Sequence, residues 1–528
     1  MRRLRCGFVV LLWFLLPVAS AASAAAATDA VPSVNRLPRV ALVIGNSQYA
    51  TSPLKNARND ATAMADRLKR MGFDVVMKLD ATKNDMDDAI NGFGTKLRAQ
   101  NGIGVFYFAG HGAQLNWRNY LVPVDAAIAN AGDLQKQAVD LSTILDSLSF
   151  ARNPVNLVIL DACRDNPFGA SIALEQKGLS QVDAPPGTLL AYATAPGNVA
   201  ADGAGTNGLY TQHLLREMQA ADAKVEDVFK RVRLSVRRES RGQQIPWEST
   251  SLEHDFYFVV PKTAKKSVLE ENDPAFEQEA ALWEKLRGSR DADALEAYVR
   301  QYPSGRFSEL AQFRLDTLLL LQGEKRIDLA TVPVRNNPFT KGTSRADTAY
   351  SVGDRYVFQK LDRTTNAATQ LTQNVTEITD TDVIYNKGRF VTDLLGNAIE
   401  FSGNTRERGR QPLTGEYSVG KKWSTRFGGT NADGKPLLVE VQLRVVNRET
   451  VTVPAGTFDA YKVEGRGTNN YAHQLQYTYW ISPDQVRRPL VSEWHFVNRQ
   501  GNVYQSERRE LISYRQAREP GKTLQAQR

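Results

Sequence analysis

Ile103-Gly104-Val105-Phe106-Tyr107-Phe108-Ala109-Gly110-His111-Gly112 and, further along, Asn156-Leu157-Val158-Ile159-Leu160-Asp161-Ala162-Cys163 decide how this chain is read. Each begins with an apolar run of the length and residue type of a strand buried on both faces. Each run gives way to residues able to do chemistry: an imidazole between two glycines, and a thiol two positions after a carboxylate. Open α/β sheets build their sites at the carboxyl ends of strands, so both groups are expected just past two strand ends.

Working outward, short β-branched runs alternate with helical stretches from Arg39 to Val260, the pattern of an α/β domain with a mostly parallel sheet. Val40 to Gly45 reads as the first strand. Ala57, Ala61, Met64, Ala65, Leu68 and Met71 share one face of a helix that stops at Gly72. Phe73 to Met77 and Thr188 to Ala193 are further strands. Helices are predicted near Asp85 to Gln100, Tyr210 to Met218 and Val225 to Glu239, and Phe256 to Val260 is expected to close the sheet. This domain is assigned to 36–260. Over 261–330 a polar linker, Lys262 to Lys266, leads into a small helical hairpin with apolar faces at Phe276, Ala280, Trp283, Leu286 and at Phe307, Leu310, Ala311, Leu315, Leu318. No second copy recurs at a fixed period, so a packing spacer is expected rather than a repeat array. From 340 to 516 the composition shifts to Thr, Val, Tyr and Arg in alternating runs, as in an antiparallel all-β domain, and 517–528 reads as a disordered tail. A protein partner bound through the hairpin or the β domain is compatible with these faces.

At 528 residues, 42% hydrophobic and 23% charged, the chain is too long for one core and is neither disordered nor polytopic in composition. Arg2, Arg3 and Arg5 followed by the apolar run Gly7 to Ala19 read as a signal peptide over 1–26, cleaved between Ala21 and Asp29, which implies a periplasmic or secreted protein with no membrane span after cleavage. An uncleaved anchor is the other reading of that stretch. Cleavage removes three arginines and no acid, taking the net charge from +8 to +5, and no Lys/Arg block interleaved with aromatics marks a nucleic-acid surface. Of two cysteines, Cys6 lies in the basic start, leaving Cys163 alone in the mature chain. A lone thiol in an exported protein is either reactive or a buried structural residue. The remaining histidines, His213, His254, His473 and His495, lack ligand spacing, so no metal site is expected.

A cysteine nucleophile needs a histidine to take and return a proton and backbone donors for the oxyanion. Flanking glycines are expected to let a peptide approach His111 closely. His111 and Cys163 are 52 residues apart, and Ala162-Cys163-Arg164 matches the centre of a known signature whose histidine lies about 50 residues upstream. Together these features make Arg39 to Val260, about two-fifths of the chain, resemble the caspase and metacaspase family, in particular its bacterial members. The resemblance implies a caspase-hemoglobinase fold, a Cys163–His111 dyad, and an oxyanion hole from the Cys163 and Gly112 N–H groups. It also implies that Asp161 forms the base of a pocket for Arg or Lys. The segment Asn56 to Ala61 resembles the one whose aspartate faces that pocket, here Asp60, which reads equally as a helix-start acid. Asp202 is a further pocket candidate. Two positions depart from the pattern: Ala109 replaces a frequent Ser, and Asp165 stands where caspases have Gly and would raise the thiol pKa. Self-cleavage after Lys177 is expected. No cofactor is implied, and calcium activation is not readable from acids this scattered. The expected function is an exported cysteine endopeptidase acting on proteins or peptides after Arg or Lys; the alternative is a catalytically silent scaffold of the cell envelope.

Overall fold

The computed structural model describes residues 33–163, 178–195, 205–221, 223–261, 274–324, 337–401, 405–406, 409–430 and 434–517. In the N-terminal α/β domain the elements are β1 (Arg39–Gly45), α1 (Ala57–Arg70), β2 (Asp74–Leu79), α2 (Lys83–Gln100), β3 (Ile103–Leu115), β4 (Arg118–Leu121), α3 (Ala131–Gln137), β5 (Val139–Asp140), α4 (Leu141–Ala151), β6 (Val155–Cys163), β7 (Thr188–Tyr192), α5 (Leu209–Glu217), α6 (Val225–Glu239) and β8 (Trp247–Thr250). The sheet order is β2-β1-β3-β6-β7-β8, parallel except for β8, with β4 and β5 continuing antiparallel from the far end of β3. α1 packs with α5 and α2 with α4, so the sheet carries helices on both faces. That double cover is why β1, β3 and β7 read as unbroken apolar runs. The helices start where side chains satisfy their first N–H groups: Thr82 and Asp85 form a capping box on α2, and Asn130 and Asp133 one on α3.

The edge strand differs from the expectation. Residues 256–260 do not form a strand; Trp247–Thr250 takes the edge, antiparallel to β7. Phe256 and Phe258 nevertheless enter the core, stacked edge to face at 5.4 Å. The carbonyls of Tyr257 and Phe258 accept hydrogen bonds from Arg39 instead of from a neighbouring strand, and that guanidinium lies over the rings of Phe73 and Phe256. A hydrophobic alternation is thus satisfied by one arginine, without a ladder.

Among its described residues the helical unit has three helices where a hairpin of two is expected: α7 (Pro274–Leu286), α8 (Ala292–Gln301) and α9 (Ser308–Leu321). The additional α8 buries Leu295, Tyr298 and Val299 and is capped by Asp291, while Trp283 stacks on Phe307 at 5.7 Å. The C-terminal domain comprises β9 (Thr343–Arg345), β10 (Arg355–Asp362), β11 (Ala368–Ile378), β12 (Asp382–Tyr385), β13 (Phe390–Asp393), β14 (Ala398–Phe401), β15 (Thr405–Arg406), β16 (Glu416–Ser418), β17 (Lys422–Thr430), β18 (Pro436–Val453), β19 (Gly456–Asn469), β20 (Gln474–Ile481), β21 (Val491–Val497) and β22 (Val503–Arg515). Among the described residues twelve strands form one antiparallel sheet, β15 to β10 in descending order and then β22 to β17, with β9 and β16 as a separate pair. A charged cavity of about 2160 Å³ lies among the three units. Its walls include neither His111 nor Asp161. No helix among the described residues is long and apolar enough to cross a membrane.

Candidate active site

β3 and β6 are neighbours in the centre of the sheet, and their register brings the two sequence signals together. Ala109 pairs with Asp161, and the next pair is Gly112 with Cys163. Three steps along β3 match two along β6, a bulge that puts one extra residue into the Gly110-His111 stretch. Neither strand stops where the sequence suggested. β3 runs on through His111 to Leu115, and β6 includes Asp161 and Cys163, so the pair lies within strand ends rather than past them.

The bulge redefines what the two glycines do. A Cβ on Gly112 would lie 2.6 Å from the Ala162 carbonyl oxygen and 3.0 Å from Leu179 Cδ2. One on Gly110 would lie 2.7 Å from both the Tyr49 hydroxyl and the end of the Phe108 ring. Both positions face protein, so close strand and side-chain packing requires glycine here.

His111 is 4% exposed. The Tyr49 hydroxyl accepts its backbone N–H at 2.9 Å and donates to the Val122 carbonyl at 3.0 Å, and the Tyr49 and His111 rings are 4.4 Å apart. The Ser52 carbonyl lies 2.7 Å from His111 Nε2. A carbonyl only accepts, so Nε2 carries a proton, and in the neutral imidazole the lone pair then lies on Nδ1. The loop supplying Tyr49 and Ser52 is tied down by Asp80, which accepts the N–H groups of Ser47 and Gln48 at 2.8 and 2.9 Å and pairs with Arg58. Burial pushes this carboxyl up, but those donors and the guanidinium hold it below the usual carboxylate range. Sequence reading missed Tyr49 and Ser52: one acts through a hydroxyl in a turn-rich loop, the other through its backbone.

Asp161 and Asp60, 8% and 2% exposed, come from different elements to the same neighbourhood. Thr211 on α5 donates its hydroxyl proton to Asp161 at 2.7 Å. Having one proton, Thr211 accepts from the Tyr107 hydroxyl, 2.5 Å away. Asp60, in the first turn of α1, accepts from the Asn207 amide and the Gly208 N–H, each at 2.9 Å, beside the start of α5. Burial raises the Tyr107 phenol well above its ordinary range, and Asp161 and then Asp60 add to it. Two carboxylates thus flank one buried phenol.

The Cys163 side chain, Arg164, Asp165, Lys177 and Asp202 lie outside the described residues, as do the signal-peptide segment and the C-terminal tail from 518. Among the described residues no group of three His, Cys, Asp or Glu side chains is arranged to hold a metal ion.

Residues 38–257 match the family model described as "Caspase domain". A 128-residue stretch, 24% of this chain, is 32% identical to mucosa-associated lymphoid tissue lymphoma translocation protein 1 of Homo sapiens and, at the same identity, to its Mus musculus homolog. That stretch spans only 15% of the length of either relative. Fold, strand register and this match agree that residues 38–257 are a caspase domain.

Proposed function

We propose that this chain is a cysteine endopeptidase that cleaves after Arg or Lys. The observation that supports it most is the register of β3 against β6, which pairs Gly112 with Cys163 one residue after His111, whose Nε2 lies against the Ser52 carbonyl. In this reading the Cys163 thiol gives its proton to His111 Nδ1, and the thiolate attacks the scissile carbonyl. Ser52 keeps accepting from Nε2 throughout, so the imidazolium does not rotate away. The Gly112 and Cys163 N–H groups stabilise the tetrahedral oxyanion. His111 returns the proton to the leaving amine as the C–N bond breaks, and water then hydrolyses the thioester with His111 as base. Asp161 and Asp60 supply the negative charge that selects a cationic side chain before the cleaved bond, and they repel an acidic one.

The mature protein is to be incubated with fluorogenic peptides ending in Arg, Lys or Asp, with and without calcium, beside Cys163→Ala and His111→Ala. Turnover of the Arg and Lys peptides by the wild type alone is expected. Equal rates in wild type and variants would remove the peptidase, leaving a scaffold, and a preference for Asp would overturn the role of the two carboxylates. Export is part of the proposal and rests on the basic and apolar N-terminal pattern; an exported chain whose first residue lies between 21 and 29 is the expected product, to be read by N-terminal sequencing.

A further inference from the structure

The segment from Gly178 to Gly187 leads into β7 and lies against the site. Leu179, fully buried, packs on Gly112, its Cδ2 3.0 Å from where a Cβ on that glycine would be. Ser180 is locked to the strand after the bulge: its N–H donates to Asn119 Oδ1 at 2.7 Å and its carbonyl accepts from the same amide at 2.9 Å. Asn119 is on β4, paired with Gln114 of β3. The position of Leu179 and Ser180 is therefore part of what shapes the Gly112 edge.

What holds this segment from the other side belongs to another domain. The strap from Asn337 to Thr343, which enters the β domain, is bonded to it through the backbone: the Asp183 N–H donates to the Phe339 carbonyl at 3.0 Å. The Asp183 carboxylate accepts from the Thr340 hydroxyl and the Lys341 N–H, each at 2.7 Å. Asn337, 7% exposed, donates to Ser180 Oγ at 3.1 Å and to the Gln181 carbonyl at 2.9 Å. The strap is in turn fixed to the β domain, where Arg448 donates to the Lys341 carbonyl at 2.8 Å and Tyr461 to the Gly342 carbonyl at 3.1 Å. A continuous polar chain thus runs from strands β18 and β19 through Asp183 and Ser180 to β4, with Leu179 filling the space over Gly112.

We infer that the strap is a positioning element for the candidate active site, so that the docked β domain sets the placement of the Gly112 N–H. Asp183 and Asn337 are its positioning residues; neither touches His111. The inference rests on the peptidase reading for its catalytic consequence, but its structural half is independent of turnover.

The test uses the full chain with Asp183→Ala and, separately, Asn337→Ala, followed by hydrogen exchange and by steady-state kinetics on an Arg peptide. Exchange of the 110–121 amides should quicken about tenfold or more in both variants, while the β1 amides stay protected and report an intact core. kcat should fall about tenfold with KM unchanged, because the displaced donor acts in the transition state. Faster exchange confined to 178–184, with 110–121 as in wild type, overturns the inference. If exchange at 110–121 responds while the wild type itself turns over no peptide, the strap stands and the peptidase reading falls.

Discussion

Replacing Gly112 by alanine tests the oxyanion assignment most directly, because the structure fixes what the added methyl meets. The new Cβ would stand 2.6 Å from the Ala162 carbonyl oxygen and 3.2 Å from the Ala162 Cβ, both on the neighbouring strand. Ordinary contact begins near 3.4 Å, so β3 and β6 must part locally by about 0.8 Å. Overpacking of this kind costs about 1–3 kcal/mol, which for a domain of this size lowers the melting temperature by a few degrees. The catalytic cost is larger, since a displacement approaching 1 Å in an oriented site loses about 100-fold in rate. On the proposed function, the expected result is a folded protein with kcat down about 100-fold on an Arg peptide, KM little changed, and a slightly lower melting point. Gly110→Ala is the control: its Cβ would push against the far ends of Tyr49 and Phe108, which disturbs His111 rather than the strand pair. Should Gly112→Ala lower the melting temperature yet keep kcat within about twofold of wild type, the Gly112 N–H is not an oxyanion donor, and the reasoning from the bulge is wrong.

Tyr49→Phe removes the acceptor of the buried His111 N–H, so stability should drop by about 1–3 kcal/mol in urea unfolding and kcat should fall with it. Asp161→Ala should reduce the kcat/KM preference for Arg over Leu before the cleaved bond by about 100-fold, measured with paired peptides; an unchanged ratio refutes its pocket role. Burial pushes Asp393 up to about 6, beyond what the Asn397 and Leu395 donors offset. Its folded pKa thus exceeds the unfolded value of 3.8. Its contribution is greatest below that value and is lost as pH rises through about 6, a change of about 3 kcal/mol that Asp393→Asn should abolish in unfolding measured against pH. Glu309 has the opposite sign. Burial pushes it up, but Lys421 and Lys230 outweigh that and bring it down to about 2. Its stabilisation is present above pH 4.5 and lost as pH falls towards about 2, so Glu309→Gln should flatten acid unfolding between those values.

The parts of the fold legible in the sequence are those in which one physical demand governs a whole run. β1, β3, β6 and β7 are buried on both faces and leave long apolar stretches, and α1 and α6 bury one face and leave a helical period. β8 left no such trace. Trp247-Glu248-Ser249-Thr250 buries only alternate residues at the edge of the sheet, and its outward Glu248 pairs with Arg233 of α6. The pattern that was read instead, Phe256 to Val260, has two core phenylalanines but gives its carbonyls to Arg39, a choice fixed by a residue more than 200 positions away. α8 was passed over because only a few apolar positions mark its ten residues, although Ala292, Leu295, Tyr298 and Val299 do share a face.

The site shows the same division more sharply. The sequence reads the glycines around His111 as openings for substrate, and the structure gives them a different surrounding. Both glycines face their own protein, one a neighbouring strand's carbonyl and the other a tyrosine hydroxyl. What they permit is a bulge that shifts β3 by one residue against β6 and so advances His111 while keeping Gly112 level with Cys163. Within that bulge the His111 backbone N–H donates to the Tyr49 hydroxyl and its Nε2 to the Ser52 carbonyl. The pair of glycines is therefore a condition on strand packing first, with the chemistry following from it. A side chain at Gly112 should accordingly disturb the register, and one at Gly110 the Tyr49 and Phe108 contacts, before either obstructs any substrate.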